Sequence, residues 1–407
     1  MTRNIRLLRH SATVLSGLLG LGLCRLLAMW ALAHWFGPTI QGAFSLALSG
    51  MAFGAVVFSV GCDYANAFVV GRNRAKAFLV VWNTAWIALA VSVVAPLWTL
   101  GFVKLFPQTM TGLGSLGWLG IALMAASTVL LSLQQGMQAA TVGLEHYDLV
   151  ARANLLSGGI WAIGALITVH MSYAAVLAAW TLPLVIVPLY YMHVHGATLL
   201  RPNRADRSLL RQQLQFGIRT VPGSIARALN MRAALYMCSA FLFPSDVGVY
   251  GLMLSLAETM LYLPNALSQV ILGTSAAKST KGSEYRGLYA LIAFAGLGAS
   301  TLAFSFGDSI LSAIFSPAYA RGSIALGILF VAVTFFSLGN MHLHHLYGSG
   351  NPLTATTAQI VALVLTLAGG RMMIPRYGIN GAAASTLLTY AGFSAYLYLT
   401  HRSAGRR

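Results

Sequence analysis

A chain of 407 residues that is 57% hydrophobic and 8% charged, with a mean hydropathy of +0.74, excludes a water-soluble globular domain, whose surface needs about a quarter of its residues charged. Apolar runs of about 20 residues recur from end to end, so most of the surface is solvated by lipid, and the runs are helices because barrel strands would be near 10 residues and alternating. The net charge of +17 would point to nucleic acid in a soluble protein, but the basic residues fall in short segments between apolar runs, and no nucleic-acid partner is expected.

The N-terminus imitates a signal peptide, with Arg3, Arg6 and Arg9 ahead of an apolar stretch that ends near Ala31-Leu32-Ala33. That stretch is too long and Arg25 interrupts it, so it is read as the first helix. Gly, Pro and charge clusters then place helices at 11–35, 41–70, 78–105, 112–139, 150–169, 173–195, 212–242, 247–272, 286–315, 321–346, 353–374 and 378–400. The expected fold class is an all-α polytopic membrane protein of about 12 transmembrane helices, in two pseudo-twofold-related six-helix lobes around a central cavity. With the N-terminus inside, the inner segments hold 17 basic residues, among them Arg72, Arg74, Lys76, Arg152, Lys278 and Arg402, against Lys104, Arg321, Arg371 and Arg376 outside. Both termini are therefore expected in the cytoplasm. Cys24, Cys62 and Cys238 all fall in apolar runs without ligand spacing and read as small core residues.

The polar stretch RPNRADRSLLR at 201–211 reads as a cytoplasmic linker between an N-terminal lobe, 1–200, and a C-terminal lobe, 212–407. The two halves resemble each other. Pro38 and Pro244, Gly42 and Gly248, Phe44 and Tyr250, and Ser49 and Ser255 share an offset of 206, and Ser172-Tyr173-Ala174-Ala175 matches Asn380-Gly381-Ala382-Ala383 at an offset of 208. Two repeats of the same orientation, each with an even helix number, imply a pseudo-twofold along the membrane normal and a transporter with its site between lobes. Chance similarity of small and apolar residues is the alternative.

The run from Arg25 to Ala47, with its FGP turn followed by QGAFSLALS, resembles the start of the polysaccharide transporter family, the Wzx-type lipid-linked oligosaccharide flippases. QQGMQAATVGLEHYDLVARANLLSG at 134–158 and YGINGAAAS at 377–385 resemble that family's helix 4–5 hairpin and the start of its last helix. Near Arg232 the family's commonest pattern has an acidic residue where this chain has Ala233-Ala234. The family belongs to the superfamily that also holds multidrug extruders and lipid II flippases. The resemblance implies a flippase of the bacterial inner membrane and not an enzyme. It would carry an undecaprenyl-pyrophosphate-linked oligosaccharide repeat unit outward by alternating access for surface polysaccharide synthesis. Its partners would be that lipid-linked cargo, membrane lipids, and polysaccharide polymerase and export proteins. A multidrug or lipid II exporter of the same superfamily is the nearest rival, and an acyltransferase or sugar polymerase a more distant one.

Ionisable residues in apolar helices mark the candidate site, because an arginine at mid-bilayer costs about 2.5 to 3.5 kcal/mol even on the lenient insertion scale. Arg25 on helix 1 and Arg219, Arg227 and Arg232 on helix 7 are such residues. Arg25 precedes Pro38 by 13 residues and Arg232 precedes Pro244 by 12, which makes them near-equivalents in the two lobes. Two facing guanidinium groups suit a pyrophosphate, since each fork binds phosphate oxygens bidentately; pairing within each lobe, or snorkelling, is the alternative for both. Arg219 lies nearer the cytoplasmic end, where an interfacial snorkel is the competing reading. Glu258 is close in depth to Arg232 and Arg227, so it is expected either to form a static pair or to couple transport to protons by releasing an arginine when protonated. No cofactor is expected beyond a proton or sodium gradient, and Asp63, a second coupling candidate, is expected to meet Arg72 or Arg74. His342, His344 and His345 end helix 10 at the interface, with a metal site as the lesser reading. Asn66, Gln134, Gln135, Gln138, Asn154, Asn230, Asn265 and Gln359 either line a sugar path or cross-link helices.

Overall fold

The computed structural model describes residues 2–196, 205–265, 286–348 and 352–404, and within them every regular element is helical. Thr2–Phe58 is helical throughout except at Gly37, whose φ of 69° and ψ of −175° divide it into α1, residues 2–36, and the start of α2, residues 38–58. Pro38 follows as the first helical residue, where its missing N–H costs nothing. A turn at Val60 and Gly61, both with positive φ, breaks α2 before it resumes as Cys62–Arg72. Next come α3 (Ala77–Val91, resuming as Ala95–Leu105), α4 (Gly117–Gly143), α5 (Tyr147–Thr168) and α6 (Tyr173–Val194). The second half contains α7 (Arg207–Phe241), α8 (Pro244–Glu258, followed by a 3-10 turn Thr259–Leu261), α9 (Arg286–Ile314) and α10 (Ser323–Gly348). Pro352–Ala404 is divided at Gly378, φ 57°, into α11, residues 352–377, and α12, residues 379–404.

Among the described residues nine helices are long and apolar enough to cross a membrane. Two of them, 12–58 and 356–400, are the bent doubles, and α7 falls outside the nine because its arginines and glutamines dilute its apolar content. Among the described residues, helices thus stand at each of the twelve expected places. The expected linker at 201–211 overlaps α7, which already begins at Arg207; 205–206 are irregular, and 201–204 lie outside the described residues. Asp206 explains the early start. Its Oδ1 accepts from the Ser208 N–H at 3.0 Å and the Leu209 N–H at 3.1 Å, capping the helix. Residues 266–272 of the expected eighth helix lie outside the described residues.

Two compact units emerge, one of Met1–Leu7, Leu32–Leu46 and Leu229–Arg407, the other of Leu8–Ala31 and Ala47–Ala228. Compactness and sequence repeat are different partitions, because residues 32–46 and 212–228 fold with the half to which they do not belong by repeat.

The first unit contains the crossing of α2 and α8 at Gly42 and Gly248. A Cβ on Gly42 would stand 2.7 Å from the Pro244 carbonyl oxygen and 2.8 Å from the Gly248 nitrogen, and one on Gly248 would run into the Pro38 carbonyl and the Gly42 nitrogen. The contact is reciprocal between residues related by the 206-residue offset. A self-complementary contact of this kind is what a local twofold produces. In the second unit α2 crosses α7 at its break, where a Cβ on Gly61 would lie 2.6 Å from the Gly217 Cα. Neither crossing admits a side chain.

Candidate functional site

In the first unit α7 presents Arg232 to Glu258, the last α-helical residue of α8. The contact is a fork-to-fork pair, Nη1 donating to Oε1 at 2.7 Å and Nη2 to Oε2 at 2.9 Å, with the two side chains 26% and 20% exposed. Tyr236, one turn further along α7, and Tyr390 on α12 stand within electrostatic reach of Arg232, and Tyr250 on α8 within reach of Glu258. The Tyr250 and Thr386 hydroxyls are 3.1 Å apart, which fixes the α8 tyrosine against α12. The expected contact of Glu258 with an α7 arginine is therefore made, and Arg232 is the arginine chosen. Two residues earlier, Asn230 donates to the carbonyl and Oε1 of Gln359 at 2.7 and 3.0 Å, tying α7 to α11.

The second unit carries the other three candidate arginines. Arg227 is half-buried and hydrogen-bonds the Tyr64 hydroxyl, with Asp63 in electrostatic reach. This corrects the expected pairing of Asp63 with Arg72 or Arg74. Arg74 instead binds Glu145 at 2.7 Å, and the Arg72 guanidinium lies 4.2 Å from the centroid of the Phe68 ring. The reason is the turn at Val60 and Gly61, which lets α7 pass against α2 with its backbone and brings Arg227 to the first turn of Cys62–Arg72. Arg25 is exposed, its guanidinium 5.9 Å from the centroid of the Trp180 ring, and Trp180 in turn meets Trp161 edge-on at 5.2 Å. Arg219 is exposed. Among the described residues no ion pair holds Arg25 or Arg219.

The amides resolve toward cross-linking in several places. Asn66 donates to Thr84 Oγ1 and to the Gly136 carbonyl, both at 2.9 Å, and accepts from Gln213 at 2.7 Å. Gln213 in turn accepts from Asn83 at 2.8 Å, and the Asn83 side chain pairs with the backbone of Asp206. Sequence reasoning passed over Asn83 and Gln213. Both are fully buried; Asn83 stood out as an amide in an apolar run, whereas Gln213, between Gln212 and Leu214 in a polar stretch, gave no signal. Asn265 accepts from Asn340 at 3.3 Å. His342 stacks on Tyr289 at 5.6 Å and meets Tyr398 at 6.4 Å, while the side chains of His344 and His345 lie outside the described residues.

No protein-family model matches the sequence, and no curated protein does. Solved structures match along almost its whole length. An inward-facing multidrug resistance MATE family transporter of the MOP superfamily aligns with a TM-score of 0.75 at 13% identity, over 94% of each chain. A MATE transporter of Vibrio cholerae aligns with a TM-score of 0.66 at 14% identity, over 98% of this chain and 96% of the other. A MOP superfamily transporter from Pyrococcus furiosus, described as having a binding pocket of reverse polarity, aligns with a TM-score of 0.64 at 15% identity, over 98% and 95%. The likeness is one of fold, and the fold is that of the two-lobed transporters of the MOP superfamily.

Proposed function

We propose that this chain is a flippase that carries an anionic lipid-linked oligosaccharide, an undecaprenyl-pyrophosphate-linked repeat unit, outward across a bacterial inner membrane by alternating access, with both termini cytoplasmic. The charge balance of the candidate residues carries the reading. Even with Arg219 left to the interface, three candidate arginines, Arg25, Arg227 and Arg232, stand against two candidate carboxylates, Glu258 gripped by Arg232 and Asp63 in electrostatic reach of Arg227. The surplus is positive and suits an anionic cargo better than a cationic drug. The reverse-polarity pocket described for the Pyrococcus furiosus transporter is a precedent within the same fold.

In this reading Arg25 is the standing cation for the pyrophosphate, and Arg232 is a gated one. A guanidinium whose two Nη groups both serve a carboxylate has little left for phosphate. Protonation of Glu258 leaves a neutral acid with a weaker hold, frees the fork for the cargo, and ties transport to a proton gradient. A polysaccharide polymerase and export proteins would take up the delivered unit.

Deletion of the gene tests the proposal. Lipid-linked oligosaccharide should accumulate on the cytoplasmic leaflet; unchanged polysaccharide export together with new sensitivity to cationic drugs would overturn it in favour of multidrug export. Arg25→Ala and Arg232→Ala should each abolish complementation at normal protein level. Glu258→Gln should slow transport and remove its dependence on the pH gradient, and retained dependence would exclude Glu258 as the coupling group.

A further inference from the structure

The N-terminal stretch of α7 is too long for the bilayer and strongly one-sided. Thirty-five residues, Arg207–Phe241, extend about 52 Å against a hydrocarbon thickness of about 30 Å. Counted back from the Phe243–Pro244 turn, about 20 residues cross the hydrocarbon, so residues 207–221 project into the headgroup layer and beyond. The same count from Pro38 leaves Cys62–Arg72 of α2 at that level.

Within this stretch Leu209, Gln213 and Gly217 are buried. Arg207, Arg211, Gln212, Gln215, Ile218 and Arg219 are exposed. Helical geometry puts Arg211 and Arg219 about 12 Å apart along the axis and about 80° apart around it, on one exposed arc. Beside that arc Phe216 stacks on Phe68 at 4.5 Å and 19°, and Phe68 carries the guanidinium of Arg72 at 4.2 Å. The stack sets Phe68, which carries the exposed Arg72, against α7. Among the described residues no ion pair engages Arg72, Arg211 or Arg219. Asp206, the carboxylate at the start of the same helix, is engaged in its cap. Ile218, 60% exposed, and Phe68, 39% exposed, add apolar surface between the cations.

We propose that Arg72, Arg211 and Arg219 form a headgroup-level binding site for the phosphodiester of an anionic membrane phospholipid. Charge complementarity selects the occupant. Three unpaired guanidinium groups at the depth of lipid phosphates attract anionic headgroups over zwitterionic ones, each fork can take two phosphate oxygens, and the amides of Gln212 and Gln215 suit the hydroxyls of a glycerol headgroup. The apolar side chains meet the first methylenes of the acyl chains. The site is separate from the Arg232–Glu258 pair and stands whether or not the cargo proposed above is right.

The test uses the full chain, purified and loaded into nanodiscs of phosphatidylcholine with an equal share of phosphatidylglycerol, with retained lipid read by native mass spectrometry. The wild type should retain phosphatidylglycerol over phosphatidylcholine. The triple variant R72Q/R211Q/R219Q should reduce that preference at least tenfold, at about fivefold per cation. Arg74→Gln, which removes an exposed arginine already bound to Glu145, should leave it unchanged. No preference in the wild type, its persistence in the triple variant, or an equal loss in Arg74→Gln would overturn the site. Retention of a prenyl diphosphate with no preference among phospholipids would overturn the phospholipid assignment. Because the three substituted side chains lie at the surface, an unchanged thermal unfolding curve should accompany the loss of lipid.

Discussion

Residues 207–228 of α7 carry Arg207, Arg211, Arg219 and Arg227, and residues 229–241 carry Arg232 alone. In the first stretch the three leading arginines are exposed and Arg227 rests on a tyrosine hydroxyl with a carboxylate in reach. In the second, Arg232 is gripped by both oxygens of Glu258 and surrounded by tyrosines. The difference follows depth along the helix. Where water and headgroups are at hand, a guanidinium needs no partner from the protein; within the hydrocarbon-facing part it is tolerable only with its fork filled. One helix thus presents an exposed basic face at one end and a neutralised cation toward the other.

Removing the fork's partner should break this contrast most sharply. Glu258→Ala leaves Arg232 unmatched and should lower the stability of the purified protein by about 3 kcal/mol, with most of the loss recovered in R232A/E258A. A double variant as unstable as the single one would mean that the pair does not hold this part of the helix. Next is Gln213→Leu, which leaves Asn66 Oδ1 and the Asn83 amide without their partner in the core of the second unit. The expected loss is about 2 kcal/mol, read by thermal unfolding in detergent, and a neutral result would remove the amide chain as the anchor of the exposed stretch. Asp63→Ala sharpens the comparison directly. Arg227 keeps the Tyr64 hydroxyl, so the cost should be about 1 kcal/mol, and a loss equal to that of Glu258→Ala would erase the distinction between the two stretches.

The smallest effect concerns the cap. The Leu209 N–H, with the Ser208 hydroxyl and N–H, holds the Asp206 carboxyl below its usual value. A carboxylate with a depressed folded pKa stabilises the fold above its unfolded pKa, about 4, and that contribution is lost as the pH falls through the lower folded value. The thermal midpoints of wild type and Asp206→Ala should therefore differ slightly at pH 7 and converge below about pH 4. A gap that persists into acid would show that the charge is not what the cap contributes.

The breaks and spans were readable because they depend on local chemistry. Apolar run length located the helices, and the Gly-Pro pair at 37–38 located the division of α1 from α2, which the structure makes with a single residue in place of the five-residue gap expected. The offset of 206 already paired Gly42 with Gly248, though only the fold brought those two residues into mutual contact. Spacing from Pro244 put Glu258 at the depth of two arginines and left the choice between them open. Asp63 shows the limit more plainly. Proximity in sequence favoured Arg72 and Arg74, but those side chains went to Phe68 and Glu145, and the partner came from more than 160 positions away.

By itself the sequence determined the class, the number of helices, the repeat and the small set of intramembrane charges, because each rests on residues near one another in the chain and on the dielectric of their surroundings. The tertiary structure decided which charges meet, which amides bolt helices together and which segments fold with which half. Those outcomes depend on helix crossings set by backbone contact, at Gly42 with Gly248 and at Gly61 with Gly217. A crossing fixes rotation and depth for every side chain on both helices at once. Periodicity along one helix contains no information about the other, so the partners became legible only when the helices were packed.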